Sequence, residues 1–126
     1  MVLVPTPTIG DPPKPATTSA TPLMRMKLEA SKEILEGLTL EDFGKIASNA
    51  RKLRLLSTES SWNVIQTEEY AAQSRDFQRA TTVVVDAAND KDIGRAALGY
   101  VALTVRCVEC HSYMRKHRIQ KLNRNN

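Results

Sequence analysis

The sequence is short of several things, and each shortage removes a class of protein. Cysteine occurs only twice, as Cys107 and Cys110, which excludes a small fold stapled by several disulfides. Aromatic residues make up 5% of the 126 positions, with a single tryptophan. A core must therefore be built from Leu, Val, Ile, Ala and Met, and a chain this long can bury one such core as a single domain. No apolar run approaches the roughly 18–20 residues of a membrane-spanning helix. The opening MVLVPTPTIG has neither the basic flank nor the apolar stretch of a secretory signal. Proline is missing from residues 23–126: all six fall at positions 5, 7, 12, 13, 15 and 22.

That last absence divides the chain. Residues 1–21, mixed with Thr, Ser and Gly, read as a disordered arm that can neither sustain a helix nor bury a face. The proline-free remainder, rich in Ala, Leu, Lys, Glu and Arg, reads as all-α. Charge divides it again. The net +4 is uneven: residues 112–126 carry +5 through Arg115, Lys116, Arg118, Lys121 and Arg124, while the rest of the chain sums to −1. Cations suit a helix C-terminus, and Tyr113 is the only aromatic among them, so nucleic-acid binding is not expected.

Four amphipathic segments follow. Met24, Leu28, Ser31, Leu35 and Leu38 form the expected seam of the first, with Gly37 ending it in a left-handed turn. Thr39 and Asp42 suit a capping box for a second helix carrying Phe43, Ile46, Ala50, Leu53, Leu55 and Leu56 and fading near Ser57–Ser60. After a linker containing Trp62, Thr67 caps a third, with Glu68 and Glu69 in its first turn and Tyr70, Phe77, Ala80, Val84 and Ala87 as its seam. Asn89–Asp92 is a turn, and Asp90 or Asp92 starts the fourth. Its seam is Ile93, Ala97, Tyr100, Thr104, Cys107, His111 and Met114. Val83–Val85 is β-prone, but the surrounding period is helical. The expected fold is an antiparallel four-helix bundle over 22–118, preceded by the arm at 1–21 and followed by a basic flexible tail at 119–126.

The chemistry concentrates in CVECH, residues 107–111. On a helix, positions i, i+3 and i+4 share a face, so Cys107, Cys110 and His111 point the same way. A tetrahedral zinc site needs a fourth ligand, and the other histidine, His117, turns away. A thioredoxin-like redox pair needs a helix N-terminus in a βαβ setting. The third reading is covalent haem: C-x-x-C-H supplies two thiols for the vinyl groups and an adjacent imidazole for the iron.

PLMRMKLEASKEILEGL, EEYAAQSRDFQRA and IGRAALGYVALTVRCVECHSYMR, with Trp62 before the third helix, together resemble the cytochrome c-prime family of haem-binding helical bundles over about residues 22–118. The connection between the first two helices is shorter than in many members. The resemblance implies one haem c held covalently through Cys107 and Cys110, with His111 as an axial ligand. Members divide between an open iron that binds NO or CO and a methionine-ligated iron that carries electrons. Met24 lies on the first seam, whereas Met26 lies off it and Met114 shares a helix with His111. The expected iron ligands are therefore His111 and Met24; Arg25 and Lys27 flank Met24, where the resemblance implies a basic residue, Arg25, near a propionate, with a solvated helix face as the alternative. Trp62, Tyr70, Phe77 and Tyr100 are expected to wall the pocket or the core.

A c-type electron carrier is thus the leading expectation, a five-coordinate gas binder the next, and a haem-free helical interaction module the third. No Ser/His/Asp or paired-carboxylate arrangement stands out, since Glu41–Asp42 and Glu68–Glu69 are first-turn charges, so an enzyme is not expected. Redox proteins, acidic ones among them, are the expected partners. Members of the family often dimerise through their first two helices. The resemblance implies a periplasmic or otherwise exported protein, which makes Met1 an unexpected natural start.

Overall fold

The computed structural model describes residues 22–59, 62 and 65–124, with side chains described through Arg118. The arm expected over 1–21 lies outside the described residues. The four helices are α1 (Pro22–Leu40), α2 (Phe43–Leu56), α3 (Glu68–Asn89) and α4 (Ile93–Arg124), and no strand occurs among the described residues. Consecutive helices pack antiparallel, and α4 closes back towards α1. This is the expected all-α bundle. Val83, Val84 and Val85 lie inside α3, so helical packing overrides their local β preference. α4 runs on to Arg124, past residue 118 where the bundle was expected to end.

Two tight turns make the hairpins, and they share a design. α1 ends with Glu41 in the left-handed region at φ 52°, and the Asp42 amide donates back to the Gly37 carbonyl at 2.8 Å. At the end of α3, Lys91 takes φ 54° and the Asp92 amide donates to the Ala87 carbonyl at 2.9 Å. Each turn then caps the next helix with an aspartate: Asp42 accepts from the Lys45 amide and Asp92 from the Arg95 amide, each at 3.0 Å, satisfying orphan donors of the first turn. Thr67 caps α3 as expected, accepting from the Tyr70 amide at 3.1 Å.

Gly37 and Thr39 therefore have other roles than those read from the sequence. Thr39 sits inside α1, where its hydroxyl donates to the Glu36 carbonyl. Gly37 is helical and buried. A Cβ there would lie 2.8 Å from Ile46 Cγ1, so glycine is what lets α1 approach α2.

The core is dense between α2 and α3. Ile46, Ala50 and Leu53 meet Phe77, Val84 and Ala88, with Ile34 and Leu103 wholly buried beside them. Trp62 lies over Phe77 with ring centroids 4.9 Å apart, its Nε1 donating to Ser74 Oγ at 3.3 Å. The Tyr70 hydroxyl donates to the Trp62 carbonyl. Of the second seam, Leu55 is corrected to an exposed position.

The first and fourth seams are corrected more deeply. α1 buries Leu23, Lys27, Ala30, Ile34 and Gly37 instead of Met24, Leu28, Ser31 and Leu35. On α4 the fully buried positions are Ala96, Gly99 and Leu103, while Ala97 and Thr104 are exposed and Tyr100, Cys107 and His111 half-buried. Each helix is turned about a quarter of a revolution from expectation.

Candidate functional site

The two displaced seams face each other. α1 and α4 touch only sparsely compared with the other neighbouring pairs. Between them runs an open groove of ≈ 390 Å³, lined by Met24, Lys27, Leu28 and Ser31 from α1 and by Tyr100, Leu103, Thr104, Cys107 and His111 from α4. That volume lies within the range of small-molecule and cofactor sites. The lining is mostly apolar with a few polar groups converging on it, as such sites require.

Local sequence explains each placement. α4 is continuous through the C-x-x-C-H stretch, so Cys107 and His111, one turn apart, both line the groove. Cys110, expected to point the same way, instead packs against the hydrophobic core as a half-buried side chain and does not line the groove. Both thiols are free. Burial pushes the Cys110 thiol pKa up, against the opposing pull of the Lys27 ammonium and with a smaller upward push from Cys107. Burial likewise pushes the His111 imidazole down, helped by Lys27 and Arg115, which favours the neutral ring with a lone pair to donate. At the far end of the groove the Tyr100 hydroxyl donates to the Ser31 carbonyl at 3.1 Å, bridging α1 and α4. Burial, and then Cys107, raise the pKa of that phenol. Beyond His111, Tyr113 shares a 2.7 Å hydrogen bond with the α3 cap Thr67, fixing the register of α4 against the rest of the bundle.

The other expected residues divide. Met24 lines the groove opposite Cys107 and His111. Arg25 is exposed and does not line it. Met26 is exposed and Met114 packs on the core. Trp62, Tyr70 and Phe77 are core, and Tyr100 is a groove wall. Lys27, which the sequence leaves either near a propionate or on a solvated face, is 7% exposed. Its ammonium stands 4.7 Å from the Trp62 ring centroid and 5.0 Å from that of Phe77, where the negative faces of the rings stabilise a cation. Sequence reasoning missed it because a lysine between Met26 and Leu28 reads as surface. The available signal was spacing: Lys27 falls between Leu23, Ala30 and Ile34, which share its face at helical steps.

Among the described residues no group of three His, Cys, Asp or Glu side chains is arranged to hold a metal ion, so the zinc reading gains no preformed ligand set. A haem supplies four of the iron's ligands itself and needs no such cluster. Of the groups a haem would use, Cys107, His111 and the Met24 thioether line the groove, whereas Cys110 packs on the core and does not line it. Comparison of the chain with protein-family models, with curated proteins and with solved structures finds no match to any of them.

Proposed function

We propose that this chain is a c-type cytochrome that carries electrons through one covalently held haem. One observation carries the reading. The two helix faces that the sequence marks for burial are turned towards each other across a groove, and that groove contains Cys107 and His111 of the C-x-x-C-H stretch. A flat apolar ligand between α1 and α4 reconciles the sequence pattern with the packing.

Cys107 and Cys110 would hold the group as thioethers, each S–H adding across a vinyl double bond with neither oxidant nor leaving group. His111 would donate its neutral imidazole to the iron from the α4 side and Met24 its thioether from the α1 side. When bound, haem iron supplies a one-electron couple whose potential the axial ligands set. Leu28, Leu103 and Tyr100 would border it, and the Tyr113–Thr67 bond holds the histidine's helix in place.

Export of the chain through a c-type maturation pathway tests the reading. A denaturing mass spectrum is expected to show the chain plus one haem, falling back to the bare chain in Cys107→Ser/Cys110→Ser. A bare wild-type chain from a host that matures other c-type cytochromes would overturn it. Carbon monoxide then separates the carrier from the open-site gas binder. The reduced wild type is expected to resist the ligand and Met24→Ala to accept it. Ready uptake by both would assign Met24 to packing and favour the gas binder.

A further inference from the structure

Lys27 is the only charged side chain that is buried among the described residues. Helical spacing puts it on the inward face of α1 with Leu23, Ala30 and Ile34. No ion pair among the described residues includes it, and its ammonium lies instead against the Trp62 and Phe77 rings. Ring faces offset only part of what a charge loses on leaving water. An unbranched apolar side chain would fill the same space without that loss. The charge is held at a cost to stability.

Its position gives the charge a use. Lys27 lines the groove together with Met24 and His111, the two proposed iron ligands, and stands one turn beyond Met24 on the same wall. Its field reaches the C-x-x-C-H stretch, opposing the rise of the Cys110 pKa and helping to lower that of His111. Arg115, the other cation acting on His111, is exposed, so solvent and salt screen it.

We propose that Lys27 sets the potential of the site: a fixed cation on the groove wall that makes a bound haem iron easier to reduce. The inference rests on the haem reading. Uptake of one electron from a donor protein lowers the positive charge at the iron by one, with no bond formed or broken. A neighbouring cation therefore disfavours the ferric form more than the ferrous, and burial keeps that difference from being screened away. The axial ligands fix the range of the couple, and Lys27 raises it within that range.

The test is a redox titration of the haem-loaded chain. Lys27→Met keeps an unbranched side chain and removes the charge. At a fixed solution potential, its ratio of reduced to oxidised protein should fall about tenfold, which is about 59 mV for a one-electron couple. Lys27→Arg restores the charge and should recover most of that loss. Lys52→Met removes a charge from the exposed side of α2 and should move the ratio less than about twofold. Without haem, Lys27→Met should keep its helical circular dichroism and unfold at the same urea concentration as wild type or a higher one. An unchanged ratio in Lys27→Met, an equal loss in folded Lys27→Arg or in Lys52→Met, or a destabilised haem-free Lys27→Met would each overturn the proposal. A wild-type chain that takes up no haem would overturn the haem reading and this proposal with it, whereas a loaded chain whose couple ignores Lys27 would overturn this proposal alone.

Discussion

The α2–α3 half of the bundle and the α1–α4 half are built from similar residues and end up differently packed. Between α2 and α3, the apolar positions picked out by helical spacing are, with few exceptions, those the structure buries, from Ile46 and Leu53 to Phe77 and Val84. Between α1 and α4, Met24, Leu28, Tyr100, Thr104 and Cys107 have the same spacing but line a groove. The first half satisfies its own hydrophobic pattern. The second leaves apolar surface lining an open groove, and that mismatch is the observation on which the proposed site rests.

The largest expected effect breaks this comparison from the packed side. Leu53→Ala removes a wholly buried side chain and should cost about 2–5 kcal/mol of the haem-free chain's stability in chemical denaturation, through lost transfer energy and the cavity left behind. Leu28→Ala on the groove wall, with Leu28 already 61% exposed, should stay within about 0.5 kcal/mol. Haem loading should widen the second effect and leave the first unchanged. Equal costs in the haem-free chain would erase the distinction between the halves.

Next in size is a pair of glycine substitutions with opposite signs. Gly37→Ala places a methyl 2.8 Å from Ile46 Cγ1 and should destabilise by about 1–3 kcal/mol, because α1 and α2 must separate. Gly44→Ala meets only Asp42 Oδ1 at 3.6 Å, an ordinary contact, and should stabilise α2 by about 0.5–1 kcal/mol through lower backbone entropy in the unfolded chain. Melting temperatures of the two variants check the signs.

A third prediction concerns the register of the site. Thr67→Ala removes both the cap of α3 and the hydroxyl shared with Tyr113, whereas Tyr113→Phe removes only the latter. The first should cost about 1–2 kcal/mol and the second about 0.5–1.5 kcal/mol, measured by urea denaturation. A Tyr113→Phe cost equal to that of Thr67→Ala would mean the cap itself contributes nothing.

These contrasts also explain what the sequence made legible. The four helices, the Thr67 cap and the position of the C-x-x-C-H stretch on α4 follow from local signals: proline placement, capping residues and helical period. The tight turns do not. Glu41 and Lys91 adopt left-handed backbone without being the glycine or asparagine that advertises it, while Gly37, which looks like such a signal, is a close-packing position. Nor does period say which of two adjacent apolar faces goes inward. On α1, the face of Leu23, Ala30 and Ile34 competes with that of Met24, Leu28 and Leu35, and only the approach of α2 decides between them. Lys27 shares the helical spacing of that inward face, but the Trp62 and Phe77 rings that receive its ammonium come from elsewhere in the chain.

The smallest expected effect is in the acid range and sharpens the comparison from the groove side. His111 is half-buried in the α1–α4 half, and burial, Lys27 and Arg115 together lower its pKa from the ordinary 6.5. The unfolded chain therefore takes the proton first as pH falls. Above about 6.5 neither state carries it and His111 costs nothing. Below that value stability declines, until the pH passes the folded pKa and the loss is complete. The haem-free chain should thus begin to lose stability as the pH falls below about 6.5, above the usual carboxylate range. His111→Gln, which keeps a polar side chain that cannot be protonated there, should flatten that decline. Urea midpoints of the two chains on either side of that pH measure the difference. An unchanged slope in His111→Gln would place the acid sensitivity outside the groove.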